Sequence, residues 1–308
     1  MKQLLQHLNS RTLLNIGMFG LIMLLTLLVV FQPGKKPAPK AQHLTTLKQT
    51  DIDQIELKRT DASDIKLQKI NGVWFITAPY HLPANEFRAQ SVSALAEAKS
   101  HMQYDLKNTD LKKFKLDKPE ITVILNKDIA LEIGGVDPIN NRRYVKNGDT
   151  LHLVSDTFYY QIIGPITAYI SYQLLPPDIK LSKMVLPKFT LTQKDGDWQL
   201  NPAQKDTSAD SINEFVDEWR HAQSLEISEY KGTPQKVNVQ IHQAGVDKPI
   251  AFTLQKRNDN TYLIRNDLKL RYKLSDETAE KLQKLPEPIE VEEPPASTPQ
   301  QKQPATAK

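Results

Sequence analysis

The stretch Ile65-Lys66-Leu67-Gln68-Lys69-Ile70-Asn71-Gly72-Val73-Trp74-Phe75-Ile76 decides how the rest of the chain is read. Apolar and polar residues alternate up to Ile70, Asn71-Gly72 supplies a turn pair, and an apolar run returns. Asn-Gly suits the type I′ turn of a two-residue hairpin, because both central residues need positive φ. The pattern comes back at Phe189-Thr190-Leu191-Thr192-Gln193-Lys194, Asp195-Gly196 and Asp197-Trp198-Gln199-Leu200. Each hairpin places a Trp two residues beyond the Gly and a Pro soon after, Pro79 and Pro202.

Outward from the hairpins, further features recur in the same order. Ile212, Phe215, Val216, Trp219 and Ala222 fall at helical spacing, and Val92, Leu95, Ala96 and Met102 trace a weaker stripe after Pro83-Ala84-Asn85. Phe114-Lys115-Leu116-Asp117-Lys118-Pro119 precedes an apolar strand from Ile121 to Leu125, as Tyr230-Lys231-Gly232-Thr233-Pro234 precedes Val237 to Ile241. Short strands follow at Ala130 to Ile133, Tyr144 to Lys146 and Leu151 to Val154, then at Ile250 to Gln255, Thr261 to Ile264 and Leu268 to Leu274. Both series lead into Ser-Asp pairs suited to capping a closing helix, Ser155-Asp156 and Ser275-Asp276, 120 residues apart. The expectation is an α+β chain made of two tandem copies of one module: β-hairpin, helix, antiparallel β-meander, closing helix. The copies are placed at 48–163 and 184–285, joined by an aromatic connection over 164–183.

Thr12 to Phe31 (TLLNIGMFGLIMLLTLLVVF) has no ionisable side chain, and as a helix it spans about 30 Å. A cleaved signal has a shorter apolar region and a small-residue cleavage site, whereas Gln32-Pro33-Gly34-Lys35-Lys36 follows here. A single N-terminal transmembrane helix is therefore expected within 1–32, anchoring the chain in the inner membrane, with a Pro/Lys linker at 33–47. Basic residues flank it on both sides, Lys2 and Arg11 before and Lys35, Lys36 and Lys40 after, so charge does not set its orientation. A periplasmic body is expected from the ease of retaining a short N-terminal stub inside. Residues 286–308 are Pro-rich and nearly free of large apolar groups, which predicts a disordered tail.

Forty basic and 36 acidic side chains are interspersed, and no basic face carries interleaved aromatics, so nucleic acid is not an expected partner. The chain has no cysteine, which excludes disulfides, thiolate catalysis and Cys-ligated metals. None of its seven histidines has the spacing of a metal pair, although His101 and His221 sit 120 residues apart at matching positions on the two expected helices. Ile133-Gly134-Gly135-Val136-Asp137 lacks the Lys-Ser/Thr of a phosphate loop and reads as a bulge or turn. Arg142-Arg143-Tyr144 reads either as an anion site or as a solvated strand start. Trp74 and Trp198 read as sugar-stacking faces or as core pegs; with Gly72 and Gly196 they are assigned structural roles. Phe158, Tyr159, Tyr160, Tyr169 and Tyr172 make the connection aromatic. They read either as packing between the modules or as an interaction surface for a partner or ligand. No catalytic residue, metal ligand or cofactor is expected, and the chain is not expected to be an enzyme.

At the repeat the chain resembles the bacterial family called domain of unknown function 4340. The carrying residues are Asn71-Gly72-Val73-Trp74 with Pro79, the stretch Phe114 to Pro119, and Leu131-Glu132-Ile133-Gly134-Gly135 leading to Arg143-Tyr144-Val145. Lys115 departs from the family's usual Gly after an aromatic residue. The resemblance implies a membrane-anchored accessory part of an ABC-type export or gliding-motility-like system, exposed on the outer side of the membrane, with a membrane protein such as a transporter permease as partner. The expected function is thus a single-pass, non-catalytic envelope protein acting through protein interaction. The alternative is a binding module for a lipid, glycan or small ligand in the cleft between the repeats.

Overall fold

The computed structural model describes residues 10–31, 42–107, 109–204 and 207–285. The chain divides into two compact units, residues 1–42 and 43–308. The linker expected after Phe31 falls largely outside the described residues, and the tail from residue 286 wholly so.

In the first unit, Ser10–Phe31 forms one helix whose described side chains, from Leu14 to Leu27, are exposed. Among the described residues no helix is long and apolar enough to cross a membrane. The transmembrane helix expected over Thr12 to Phe31 is therefore corrected to an exposed N-terminal helix, interrupted in its apolar surface by Asn15, Gly17, Gly20 and Thr26.

The second unit is built on two antiparallel sheets. In the ten-stranded sheet Gln42–His43, Lys99–Asp105, Thr150–Ser155, Arg142–Asn147, Ile129–Val136, Ile121–Leu125, Gln54–Arg59, Ile65–Ile70, Val73–Ala78 and Leu82–Pro83 follow one another in space. The eight-stranded sheet runs Asp197–Asn201, Thr190–Lys194, Leu181–Val185, Val239–Gln243, Ile250–Arg257, Asn260–Arg265, Leu270–Leu274 and Glu226–Glu229. Alternation fixes which side of each strand is buried. Ile55 and Leu57, Ile65 and Leu67, and Ile121, Val123 and Leu125 face the core, while the residues between them face outward or lie part-buried. One continuous core runs through both sheets, with Trp74, Trp219, Tyr169, Phe215 and Phe252 its largest fully buried side chains. Each such side chain contributes ~2–3 kcal/mol on transfer from water.

The hairpin reading holds at the residue level. Asn71 and Gly72 have φ of 50° and 84°, and Asp195 and Gly196 have 54° and 98°, as a type I′ turn requires. A cis X-Pro bond follows each hairpin, at Ala78–Pro79 and Asn201–Pro202.

The α+β architecture does not hold: the chain is mostly β, and the helices between its two unequal sheets are short. Two strands explain the difference. Gln54–Arg59 pairs with both Ile65–Ile70 and Ile121–Leu125, and so fuses the first hairpin and the first meander into one sheet. Leu181–Val185 does the same between Thr190–Lys194 and Val239–Gln243. The first expected helix also breaks up. Helix Glu86–Ser93 passes into a 3-10 turn, Ala94–Glu97, and Met102 falls on strand Lys99–Asp105, whose backbone is satisfied by pairing with Thr150–Ser155. His101 is on that strand and not on a helix. Ser275 caps helix Asp276–Lys281, its hydroxyl accepting from Thr278 N at 3.0 Å. Ser155 makes no side-chain cap and leads instead into a 3-10 turn, Asp156–Phe158.

Candidate functional site

The aromatic connection stitches the two sheets together through its backbone. Asn85 N donates to Tyr169 O at 2.7 Å and Ser171 N to Pro83 O at 2.9 Å, on the side of the ten-stranded sheet. A few residues on, Leu174 N donates to Ala222 O at 3.0 Å and Ser224 N to Tyr172 O at 2.8 Å, on the side of the eight-stranded sheet. The segment is thus an extended bridge whose polar groups are all the more constrained for being satisfied on both sides.

The five aromatics of this segment separate into three roles. Tyr169 is fully buried, its hydroxyl donating to Gln161 O at 2.6 Å, and burial pushes its pKa far up despite nearby Arg88 and Arg59. Phe158 also belongs to the core. Tyr159 lies beneath the Arg143 guanidinium, 3.4 Å from its ring centre, and donates to Glu120 Oε2 at 3.0 Å. Only Tyr160 and Tyr172 are exposed, at 74% and 42%. Phe158, Tyr159 and Tyr169 are thus engaged in packing within the structure, whereas the rings of Tyr160 and Tyr172 are open to solvent.

Tyr172 lines a groove of about 350 Å³ at the joint, together with Val73, Pro83, Phe87, Pro177 and Gln223. Phe87 is 70% exposed on helix Glu86–Ser93, whose N-cap Asn85 accepts from Arg88 N at 3.1 Å. Ala89 and Val92 form the buried side of that helix and Phe87 lies off it. The sequence reading did not single out Phe87. Its signal was a large apolar residue placed off the helical stripe, where burial gives no reason for it.

A larger cleft, of about 850 Å³, lies between Pro79-Tyr80 and two loops of the eight-stranded sheet. One loop supplies Glu229, Tyr230, Lys231, Gly232 and Pro234; the other is the turn from Asn266 to Lys269. Tyr230 Oη donates to Thr233 O at 3.0 Å and passes so close to Gly232 that a Cβ there would sit 2.5 Å from it, so any larger residue at 232 would displace the tyrosine ring. Asn266 ties the loops, its Nδ2 donating to Gln235 O at 2.8 Å. Arg265 grips Asp267 through two bonds of 2.9 and 2.8 Å. Burial works to raise the Asp267 carboxyl, but the bonds and charge of Arg265 outweigh it and hold the pKa below the usual range. Burial and the Glu229 carboxylate push the Tyr80 hydroxyl up. Lys231 and Lys269 are exposed and enter no ion pair among the described residues.

The remaining candidates resolve into structure. Arg143 is engaged on every side: its Nε and Nη2 donate to the Asp156 carboxylate and its Nη1 to Gly134 O at 2.8 Å. It is therefore not a free anion site. Gly134-Gly135 spans a register shift between Ile129–Val136 and Arg142–Asn147, the bulge that the glycine pair suggested. Trp74 is a core peg and Trp198 packs part-buried against the core, while Gly72 and Gly196 complete the turns. His221 ends helix Ala209–His221 and bonds Asp217 O. Among the described residues no group of three or more His, Asp or Glu is placed to hold a metal ion.

Residues 74–249, more than half of the chain, match the model of a family described as Domain of unknown function (DUF4340). No curated protein and no solved structure matches the chain.

Proposed function

The chain belongs to the DUF4340 family, and from that premise we propose that it is a non-catalytic interaction subunit of the cell envelope. In this reading its body docks a membrane-protein partner at the groove between the sheets, as an accessory part of a transport-type assembly such as an ABC exporter. The observation that carries it is the pair Phe87 and Tyr172, 70% and 42% exposed, lining one groove where the bridging segment joins both sheets. Exposed aromatics beside a rigid, hydrogen-bonded frame are the usual anchors of a protein interface. Association with a membrane is supported by Ser10–Phe31, whose exposed apolar side chains, Leu14 at 67% and Phe19 at 73% among them, need a nonaqueous cover.

The test is a mild-detergent pull-down of the full chain beside a Phe87→Asp, Tyr172→Asp double variant. A specific partner recovered with the parent and lost with the folded variant supports the reading. Equal recovery of the same partner would sink it. The 850 Å³ cleft favours a second reading, a module binding a lipid, glycan or small ligand there.

A further inference from the structure

One face of the ten-stranded sheet gathers positive charge with nothing to balance it. Between strands, Arg142 pairs with Ser155, Arg143 with Val154, and Val154 with Ser100. Directly opposed residues share a face, and neighbours along a strand alternate. Arg143, Val154 and Ser100 are buried, so Arg142 and Ser155 come out on the other face, one half-buried and one exposed. Lys99 and His101 flank Ser100 and are exposed as well. The register shift between Leu153 and Val154 leaves His101 as the extra residue of a bulge beside this row.

A pocket of about 430 Å³ opens here. Lys99, His101, Ser155 and Thr157 line its polar side, Leu95 and Phe158 its apolar side, and no carboxylate lines it. The two nearest carboxylates in the chain are already engaged. Arg143 donates to both oxygens of Asp156, and Glu97 Oε2 accepts from Gln49 N at 2.9 Å. Among the described residues no side-chain hydrogen bond or ion pair engages Lys99, His101 or Arg142. The Ser155 and Thr157 hydroxyls have only each other, at 3.4 Å. Partial desolvation, then the charges of Arg142 and Lys99, hold the His101 pKa below its ordinary value, and no carboxylate offsets them.

Three like-signed groups held together repel one another, and a bound dianion removes that cost. A phosphate monoester carries about −1.5 to −2 charges near neutral pH and presents three acceptor oxygens. Arginine offers a planar fork of donors that matches such a group, and charge-assisted bonds to it are roughly twice as strong as neutral ones. The apolar side of the pocket suits the organic part of an ester better than a bare ion. We propose that this pocket binds a phosphate monoester. Arg142 grips the phosphate from beyond Ser155, Lys99 and His101 offset its charge, the Ser155 and Thr157 hydroxyls donate to it, and its organic group lies against Leu95 and Phe158. A small soluble ester and the headgroup of a phosphatidic acid share this chemistry.

The test follows the His101 ring signal by NMR in the full-length chain labelled at histidine, with His101→Gln identifying the signal. Glycerol 3-phosphate and dihexanoyl phosphatidic acid are added separately at constant ionic strength and constant pH. The expected result is a saturable movement with half-saturation below about 1 mM. Arg142→Gln should raise that concentration at least tenfold, and Arg142→Lys, which keeps the charge without the fork, should fall between. Lys183→Gln, on the eight-stranded sheet, should leave it within about twofold. Saturation by both probes assigns the pocket to soluble esters, and saturation by the phosphatidic acid alone assigns it to a lipid headgroup. No saturable movement up to about 10 mM with either probe overturns the proposal, as does half-saturation unchanged in folded Arg142→Gln. Neither outcome touches the partner docking read from Phe87 and Tyr172.

Discussion

The guanidinium of Arg143 lies 3.4 Å from the centre of the Tyr159 ring, with its nitrogens spent on the Asp156 carboxylate and Gly134 O. It clamps the closing segment of the first sheet to the bulge in strand Ile129–Val136. Tyr159 in turn donates to Glu120, so the clamp reaches the start of strand Ile121–Leu125. Asp156 is partly open to solvent and Arg143 is nearly closed off, which makes the arginine the costlier partner to remove.

Replacing Arg143 by Met keeps much of the volume and leaves Asp156 and Gly134 O without their donors. A loss of about 3 kcal/mol in folding stability is expected. Arg143→Lys should recover little of it, because an ammonium cannot make the fork or the stack. Urea unfolding followed by tryptophan fluorescence measures both; a loss below about 1 kcal/mol for Met would refute the clamp.

The two bulge glycines should respond differently to alanine. A Cβ at Gly134 would stand 2.5 Å from Phe114 O, a backbone atom, whereas one at Gly135 would first meet Lys115 Cδ at 3.3 Å, on a flexible side chain. Gly134→Ala is expected to cost about 2 kcal/mol and Gly135→Ala less than about 1. Equal midpoints in parallel denaturant titrations would contradict this.

His152 is buried on strand Thr150–Ser155, its Nδ1 within 3.0 Å of Ser100 Oγ, and burial holds its pKa below the ordinary value of 6.5. The folded state thus resists protonation that the unfolded state accepts. The stability this confers is intact above about pH 6.5 and is lost as pH falls from there toward the folded pKa. His152→Asn should flatten the difference between unfolding free energies at pH 7.5 and pH 5.5 relative to the parent. An unchanged slope would show that other groups carry the acid sensitivity.

Phe87→Asp places a carboxylate in the first turn of helix Glu86–Ser93, where the helix dipole favours it, and removes a side chain that is mostly solvated. Its effect on stability is expected within about 0.5 kcal/mol. Thermal unfolding by circular dichroism checks this, and a large loss would mean that Phe87 supports the fold rather than an interface.

Much of the second unit was legible in residues whose chemistry is local. Asn71-Gly72 and Asp195-Gly196 announced their turns because positive φ is a property of two residues and needs no partner. Ser275 announced a cap for the same reason. The exclusion of Arg143 as an anion site was not legible, since Asp156, Tyr159 and Gly134 reach it only through the fold. Phe158 and Tyr169 looked like surface candidates for an equivalent reason: aromatic content does not tell a core side chain from an exposed one.

What the sequence determined by itself was the hairpins, the strand periodicity, the bulge at Gly134-Gly135 and the family, all carried by short-range patterns. Tertiary structure alone decided that the chain is mostly β. Gln54–Arg59 and Leu181–Val185 have ordinary alternation, and only pairing on both edges turns each into the strand that fuses a hairpin with a distant meander. It also decided that Lys99–Asp105 is a strand and not the end of a helix, because backbone groups take whichever partner the neighbouring chain offers. The Phe87/Tyr172 groove arises in the same way: the two residues are 85 apart in the sequence, and they share a surface only where the bridging segment bonds to both sheets.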